Sequence, residues 1–463
     1  MTTTCWRRRH IAPAMRRGRP AAAFLTLLAI TGAALALGAL TAWGQPGGAG
    51  EPAAAPAWQP PDPALVERAR RLLRESPLVD GHNDLPWQLR ERFHGQLGKL
   101  DLRRDASGLR PPLATDIPRL RRGGVGAQFW SVYVPVELAG PAAVQAVLEQ
   151  IDVVHRLAEL YPETFETALT AADVSRIHRA GRIASLVGVE GGHSIGDSLG
   201  VLRELYRAGA RYMTLTHSRN DDWADSATDQ PLHGGLTRFG EEVVREMNRL
   251  GMLVDLSHVA PRTMQAAMAL SASPVIFSHS SALALDGHPR NVPDEVLAML
   301  PRQGGVVMVS FVTSFTSAAV RAWDAERDGE AARLKTLYPQ DAGRAERELA
   351  VWTAAHPAPH ATLAQVADHI DHVRRVAGID HVGLGSDFDG TTSLPDGLGD
   401  VAQYPVLLGE LLRRGYSDEE VKKVAGANLL RVLREAESVA ARLHGQRPPS
   451  DARIEELDAR PGS

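Results

Sequence analysis

The amino-acid sequence predicts an α/β protein whose main part, residues 64–440, folds as a (β/α)8 barrel. From residue 64 onward, short apolar runs alternate with longer amphipathic or charged stretches. This pattern is typical of repeated β–α units around a parallel sheet. Eight such runs are present, and eight parallel strands with intervening helices close into a barrel.

Six of the eight predicted strands end on a histidine or a carboxylate. In chain order, the runs end at His82, Val134, Glu190, His217, His258, His279, Phe311 and Asp387. The stretches between them predict helices, for example Pro261–Leu270. Another helix is expected over residues 417–440, because Ser417 and Glu420 have the spacing of a capping box.

Two segments exceed a simple barrel. Residues 324–356 follow the seventh strand and are highly charged, which predicts a helical insertion at this point of the chain. Residues 441–463 are expected to form a loose C-terminal tail.

The first 63 residues are expected to lie outside the barrel. Residues 1–20 carry six arginines and no acidic residue, and residues 21–43 carry no charge. This predicts residues 1–44 as an export signal, or as an N-terminal membrane anchor if the signal is retained. Residues 45–63 are rich in Pro, Gly and Ala and form a predicted linker. The protein is therefore expected to be exported to the periplasm or the extracellular space.

Charge and cysteine content exclude several classes of partner and site. Removal of residues 1–44 takes away six positive charges and changes the formal net charge from -4 to -10. This balance argues against a nucleic-acid partner. The only cysteine, Cys5, lies within the export segment. The mature chain therefore has no thiol, which excludes disulfide bonds and thiolate zinc sites.

The polar strand ends predict a metal site. In a (β/α)8 barrel, the C-terminal strand ends and the loops after them build the active site. Histidine and carboxylate side chains suit zinc, because they supply both nitrogen donors and negative charge. A single histidine in such a place is usually structural, but recurrence at successive strand ends favours metal binding. The candidates are His82, Asp84, Glu190, His217, His258, His279 and Asp387.

Two clusters within this set predict two metal ions. His82 and Asp84 are expected to hold one ion, His258 and His279 the other, and Glu190 is expected to bridge them. Two ions about 3.5–4 Å apart lower the pKa of a shared water towards ~7, which gives a hydroxide at neutral pH. Such a site hydrolyses its substrate without a serine or cysteine nucleophile.

The other two candidates have predicted roles in catalysis. Asp387 lies at the last strand end, where it can orient or deprotonate the water and pass a proton to a leaving amine. Asp389 is its rival in the same GSDFDG motif, and we assign it to capping the loop. His217 has no second ligand close to it in sequence, so we interpret it as a donor that polarises the substrate.

The motifs of this chain resemble those of the membrane dipeptidase (renal dipeptidase) family of zinc hydrolases. The resemblance covers residues 78–433 and is carried, in order, by DGHNDLPWQLR, GVEGGHSI, RYMTLTHSRND, LVDLSHV, IFSHSSA, RNVPDEVL, QVADHIDHV and GSDFDG. It implies a metallo-dependent hydrolase barrel with two zinc ions. One ion is held by His82 and Asp84, the other by His258 and His279, and Glu190 bridges both.

The resemblance also implies a substrate and three further roles. His217 is expected to contact the scissile carbonyl or the intermediate, and Asp387 to act in proton transfer. Arg290 is expected to pair with the free carboxylate of the substrate. The implied substrates are dipeptides with a free carboxyl end, and acceptance of a D-residue at that end stays open.

Some features depart from the family. Mammalian relatives carry a lipid anchor and disulfides, whereas this chain has neither an apolar C-terminal tail nor a cysteine after residue 5. A homodimer, if one forms, is therefore expected to be non-covalent. The segment VSFVTSF and the insertion after it differ from a tyrosine-bearing segment of some relatives, so the side-chain preference stays open. Two rival functions also remain: a related barrel hydrolase of acyl-amino acids or β-lactams, and an exported protein that binds zinc and a ligand without turnover.

Overall fold

A computed structural model describes residues 58–458 of the chain. The predicted export signal or anchor, most of the linker and the last five residues lie outside the described residues. No helix within residues 58–458 is long and apolar enough to cross a membrane. The strands are β1 Leu78–Asn83, β2 Val125–Tyr133, β3 Phe165–Thr167, β4 Ile183–Glu190, β5 Ala210–Thr214, β6 Leu253–Asp255, β7 Ile276–Phe277, β8 Val306–Val309 and β9 Val382–Leu384.

Eight of these strands close into a parallel barrel, which confirms the predicted fold class. Neighbouring strands pair in the order β2-β1-β9-β8-β7-β6-β5-β4, and β4 pairs again with β2 to close the ring. The eight strands correspond to the eight predicted runs. Strand β3 was not predicted, and it pairs with the start of β4 at the edge of the sheet. Its three residues contain no apolar run, and only Phe165 among them is buried.

Helices connect the successive strands. The α-helices are α1 Pro63–Glu75, α2 Leu85–Phe93, α3 Ile117–Arg122, α4 Pro141–Leu160, α5 Ala171–Arg179, α6 Leu199–Arg207, α7 Arg238–Leu250, α8 Pro261–Leu270, α9 Asp294–Leu297, α10 Leu300–Gln303, α11 Thr313–Thr316, α12 Ala318–Leu337, α13 Ala342–Ala355, α14 Leu363–Ala377, α15 Tyr404–Arg413, α16 Asp418–Lys422, α17 Asn428–His444 and α18 Ile454–Leu457. Short 3-10 turns lie at Leu97–Lys99, Gly192–Ile195, Ile379–His381 and Val401–Gln403, and a π-helical turn at Lys423–Ala427. Helix α8 has the predicted bounds.

The predicted helix over residues 417–440 is present but interrupted. The Ser417 and Glu420 side chains form the expected capping box at the start of α16. The π-helical turn then separates α16 from α17. Gly426 lies in that turn, and a Cβ atom there would lie 2.4 Å from the Pro77 carbonyl oxygen. The helix is therefore distorted where its backbone passes close to the start of β1.

The predicted insertion is a helical hairpin of α12 and α13, and it begins earlier than predicted, at Ala318. Of the predicted C-terminal tail, the described residues 441–458 are docked rather than loose. The Asp458 carboxylate accepts hydrogen bonds from the backbone N–H groups of Arg238 and Phe239 at 3.1 and 3.0 Å. It thereby satisfies donors that the start of α7 would leave unpaired.

One aromatic ring fixes the packing between β4 and β5. Tyr212 of β5 is fully buried and pairs with Gly188 of β4 in the sheet register. A Cβ atom at position 188 would lie 2.0 Å from Tyr212 Cζ. The ring therefore occupies the space that any larger residue at position 188 would need.

Gly188→Ala is expected to lower the free energy of unfolding by about 1–3 kcal/mol, because the added methyl group must displace the Tyr212 ring. Urea denaturation followed by circular dichroism measures this change. Gly200→Ala in α6 is the matched control, since a Cβ atom there would lie 3.4 Å from Ser198 Oγ, an ordinary van der Waals distance. Alanine favours helix, so the control is expected to keep or gain stability. An unchanged unfolding midpoint for Gly188→Ala would contradict this packing.

Candidate metal centre

The structure brings the seven histidine and carboxylate candidates together at the C-terminal end of the barrel. His82 lies in β1, and Glu190 is the last residue of β4. The other five lie in the segments that follow β1, β5, β6, β7 and β9. Parallel barrel strands all end at one rim, so residues far apart in the sequence meet there.

The Glu190 carboxylate is the centre of this group and is only 4 % exposed. Its Oε2 accepts a hydrogen bond from Ser131 Oγ at 2.8 Å and lies 3.3 Å from His82 Nε2. Its Oε1 lies 3.1 Å from His258 Nε2 and 3.6 Å from His279 Nε2. The two oxygens thus face different parts of the predicted ligand set, as a bridging carboxylate must.

The two predicted ligand pairs are each in contact, and they also touch one another. His82 Nε2 lies 3.3 Å from Asp84 Oδ2, and the Nε2 atoms of His258 and His279 are 3.0 Å apart. The ring centroids of His82 and His279 are 3.9 Å apart. Ligand atoms lie within 4.8 Å of one another in three groups: His82, Glu190 and His279; Glu190, His217 and His258; and His82, Asp84 and Asp387. The cluster is therefore more continuous than two separate pairs.

The protonation states of the histidines fit metal binding. Burial lowers the pKa of both His258 and His279 well below the usual value. Their rings are therefore neutral, which is the form that ligates a metal ion. His82 Nε2 is buried and has no hydrogen-bond partner in the described part of the chain. The Nε2 atoms of His82, His258 and His279 each face a carboxylate oxygen of Glu190.

The charges of the cluster favour a cation among the carboxylates. Burial alone would lower the pKa of His82, but Tyr212, Glu190 and Asp84 raise it well above the usual value. Burial likewise opposes ionisation of Glu190, yet His82 and His258 hold its pKa well below the usual value. The carboxylates around His82 therefore favour positive charge at this position, and a metal ion bound to Nε2 would supply it.

A buried tyrosine orients His82. The Tyr212 hydroxyl donates to the Gly81 carbonyl oxygen at 3.1 Å, so its oxygen remains free to accept a hydrogen bond. His82 Nδ1 lies 3.0 Å from that oxygen and is the matching donor. With its proton on Nδ1, the ring turns Nε2 towards Glu190, the arrangement that prepares a histidine for a metal ion.

A serine and an aspartate orient His279 in a similar way. Ser278 Oγ donates to Asp255 Oδ2 at 2.6 Å and lies 2.8 Å from His279 Nδ1. Tyr212, Ser278 and Asp255 were not predicted as site residues, because they lie inside predicted strands rather than at their ends. For Ser278 and Asp255 a signal was present, because each is a polar residue within an otherwise apolar run.

His217 lies at the open edge of the cluster. Its side chain is 19 % exposed, and its Nε2 is 3.6 Å from Glu190 Oε1. Its Nδ1 lies 3.2 Å from Ser218 Oγ. The ring centroid is 4.2 Å from that of His258 and 4.8 Å from that of Tyr133. Among the clustered histidines, this one is the most accessible to a substrate.

Arg290 reaches the same region from the loop after β7 and is 2 % exposed. Its guanidinium donates to the His279 carbonyl oxygen at 3.2 Å and to Ser280 Oγ at 3.4 Å. It lies over the Phe315 ring at 5.3 Å from the centroid. Burial lowers its pKa to about 10, so it stays charged at neutral pH. Its Nε has no hydrogen-bond partner among the described residues, which leaves a donor for an anionic group.

The two aspartates of the GSDFDG motif have different surroundings. Asp387 lies against His82 and Asp84, and burial followed by the Asp84 charge raises its pKa well above the usual value. Asp389 Oδ1 accepts a hydrogen bond from the Ala114 backbone N–H at 2.7 Å. Asp387 thus faces the cluster, whereas Asp389 holds a loop, the role that the sequence analysis assigned to it.

Tyr212→Phe is expected to weaken the binding of one metal ion about 10- to 100-fold, because His82 Nδ1 loses its acceptor. The ring that packs against Gly188 is kept. Zinc titration of metal-free protein in competition with a chromophoric chelator measures the affinity. Tyr161→Phe is the matched control, since its hydroxyl forms hydrogen bonds, among the described residues, only with the backbone of Leu100 and Leu102. Equal zinc affinities in wild type and Tyr212→Phe would show that Tyr212 does not orient the ligand.

Comparison with known proteins identifies the family to which this chain is similar. The family model described as membrane dipeptidase (Peptidase family M19) matches residues 66–447. Dipeptidase verJ of Clonostachys rogersoniana is 42 % identical over 389 residues, which cover 82 % of this chain and 89 % of the relative. Dipeptidase 3 of Mus musculus is 41 % identical over 392 residues, which cover 84 % of this chain and 70 % of the relative.

Solved structures share the fold. The probable dipeptidase PvdM from Pseudomonas aeruginosa superposes with a TM-score of 0.70 at 24 % identity, over 81 % of this chain and 99 % of that chain. A metallopeptidase from Rhodobacter sphaeroides, solved with a phosphinate mimic of the dipeptide L-Ala-D-Ala, gives a TM-score of 0.63 at 25 % identity, over 78 % and 99 %. The chain therefore belongs to the membrane dipeptidase family, peptidase family M19, and is a metallopeptidase that hydrolyses dipeptides.

Proposed function

We propose that this enzyme is an exported dipeptidase with two zinc ions, and that it accepts dipeptides whose carboxyl-terminal residue is in the L or the D configuration. The observation that carries the proposal is the position of Arg290. Its guanidinium is anchored on the His279 main chain, and its Nε has no partner within the described residues. The L-Ala-D-Ala mimic bound by the Rhodobacter sphaeroides relative supports a D-residue in the substrate.

Two sets of residues would hold the ions. His82, Asp84 and Glu190 form one set, and Glu190, His258 and His279 form the other. The mixture of imidazole nitrogens and carboxylate oxygens, without a thiol, supports zinc. When bound, the ions would supply Lewis acidity, which polarises a carbonyl group and makes water a nucleophile at neutral pH.

Arg290 positions the substrate through its terminal carboxylate. Its hydrogen bonds to the His279 carbonyl oxygen and Ser280 Oγ hold the guanidinium in one place. A carboxylate paired with it is therefore also held in one place. In a longer peptide, the residue after the scissile bond has no free carboxylate, so this pairing restricts substrates to dipeptides. Peptide amides lack the carboxylate as well and are expected to bind poorly.

His217 and Asp387 act on the reacting atoms. His217 donates a hydrogen bond to the scissile carbonyl oxygen, and this bond strengthens as negative charge develops on that oxygen. Its exposed position at the edge of the cluster supports this role. Asp387 takes a proton from the attacking water and delivers it to the leaving amine. Its place against His82 and Asp84 supports the assignment.

Export and assembly are further parts of the proposal. The arginine-rich residues 1–20 and the uncharged residues 21–43 support export to the periplasm or the extracellular space. Retention of this segment as an N-terminal membrane anchor is the alternative. A homodimer would be non-covalent, because the chain has no cysteine after Cys5. Of the two rival functions, membership of a dipeptidase family sets aside the binding protein without turnover.

Zinc-loaded protein is expected to release free amino acids from a panel of L,L and L,D dipeptides. Incubation with a strong chelator is expected to abolish release, and added zinc to restore it. Amino-acid analysis of the reaction measures both effects. Release from L,L dipeptides alone would disprove acceptance of the D-residue. No release from any dipeptide would disprove the proposed function as a whole.

Arg290→Gln is expected to lower kcat/KM for dipeptides about 10- to 100-fold, because a charge-assisted hydrogen bond to the substrate is lost. The already poor hydrolysis of the corresponding dipeptide amides should change little. Arg302→Gln is the control, since Arg302 is exposed and lies in α10, outside the metal centre. An equal loss for dipeptides and their amides would favour the rival hydrolase of other amides.

A further inference from the structure

A second cavity lies at the end of the barrel where the strands begin, opposite the metal centre, and basic side chains line it. It has a volume of about 590 Å³ and lies among the ends of α1, α3 and α5 and the starts of β2 and β4. None of its twelve lining residues is acidic, one is His178, and six are arginines. The arginines are Arg70, Arg74, Arg121, Arg122, Arg179 and Arg182.

Four of these six arginines have no carboxylate partner within the described part of the chain. Only two form ion pairs, Arg70 with Glu67 and Arg182 with Glu166. Of the others, Arg121 donates to Thr164 Oγ1 at 3.0 Å, and Arg179 donates to the Ser175 carbonyl oxygen at 3.1 Å. These acceptors are neutral. The arginines left without a carboxylate partner are Arg74, Arg121, Arg122 and Arg179.

The helix C-termini alone do not account for this arrangement. Cations are favoured in the last turn of a helix, and α1, α3 and α5 all end at the cavity. That preference acts separately on each helix and is weak at exposed positions. Here guanidinium groups from three helices surround one cavity, in a chain whose formal net charge is -4. Like charges repel one another, so a bound anion would stabilise the arrangement.

The cavity is separate from the metal centre. Ile183 lines it at the start of β4, whereas Glu190 ends the same strand at the metal centre. Seven residues of strand separate the two positions by about 23 Å. A ligand in the cavity therefore touches none of the residues that act on the dipeptide.

We propose that this cavity binds a phosphate-bearing anion. Guanidinium groups form paired hydrogen bonds with phosphate oxygens. A phosphate presents oxygens in several directions, so arginines from three helices can reach it together, whereas a carboxylate presents its two oxygens on one side. His178 also lines the cavity, which adds a polar side chain to the site. The phosphate can belong to a soluble phosphomonoester or to the headgroup of an anionic lipid.

Two probes applied to the full-length, zinc-loaded protein distinguish these sources. Glycerol 3-phosphate is titrated by calorimetry. Sedimentation with vesicles of phosphatidylglycerol, and of phosphatidylcholine for comparison, measures lipid binding. We expect binding of at least one phosphate probe. Binding of glycerol 3-phosphate alone identifies a soluble ligand, and binding of phosphatidylglycerol vesicles alone identifies a lipid headgroup.

The double variant Arg122→Gln/Arg179→Gln is expected to weaken that binding about tenfold or more, because charge-assisted hydrogen bonds are lost. The double variant Arg302→Gln/Arg347→Gln removes the same charge from α10 and α13 and is expected to bind like wild type. Hydrolysis of dipeptides should be the same in all three proteins, which also shows that the variants fold.

Three results would overturn the proposal. In the first, neither phosphate probe binds. In the second, binding persists in Arg122→Gln/Arg179→Gln, which would place the anion at the metal centre or elsewhere. In the third, both double variants lose affinity equally, which would reduce the effect to overall charge. None of these results bears on the dipeptidase proposal, which is tested by amino-acid release from dipeptides and by zinc binding.

Discussion

The burial of the Glu190 carboxylate is the constraint on which the rest of the site depends. A carboxylate removed from water is stable only when charges or hydrogen bonds compensate it. Here Ser131 and histidine nitrogens from different strands surround both of its oxygens. No single helix or hairpin could present them from so many directions. Closure of the barrel is therefore what allows this charge to be buried, and the buried charge in turn creates a place for metal ions.

A second layer of carboxylates lies beneath the first and holds the loops that carry the ligands. Asp255 Oδ1 accepts a hydrogen bond from the Ser278 backbone N–H at 2.8 Å, next to His279. Asp80 Oδ1 accepts one from the Ser386 backbone N–H at 2.8 Å, next to Asp387. Both carboxylates are fully buried. Preorganisation of this kind holds catalytic side chains in place before the substrate arrives.

The sequence predicted the parts of the site that follow from strand periodicity, and it missed those that depend on how loops fold. The positions of His82, Glu190 and His258 follow from the rule that strand ends share one rim. Arg290 lies in a loop that folds back over its own strand end, and only the resemblance to a family pointed to it. Tyr212 was missed because its role arises from a hydrogen bond to His82, which lies 130 residues earlier in the chain, and no local pattern records such a contact.

The most direct test of this account is the zinc content of the wild-type protein and of Glu190→Gln, measured by mass spectrometry after dialysis against a fixed free zinc concentration. We expect two zinc ions per wild-type chain and fewer than one per Glu190→Gln chain, with the circular dichroism spectrum unchanged, because the amide would leave both ions without their shared negative ligand. Two ions per chain in both proteins, or a single ion in wild type, would contradict it.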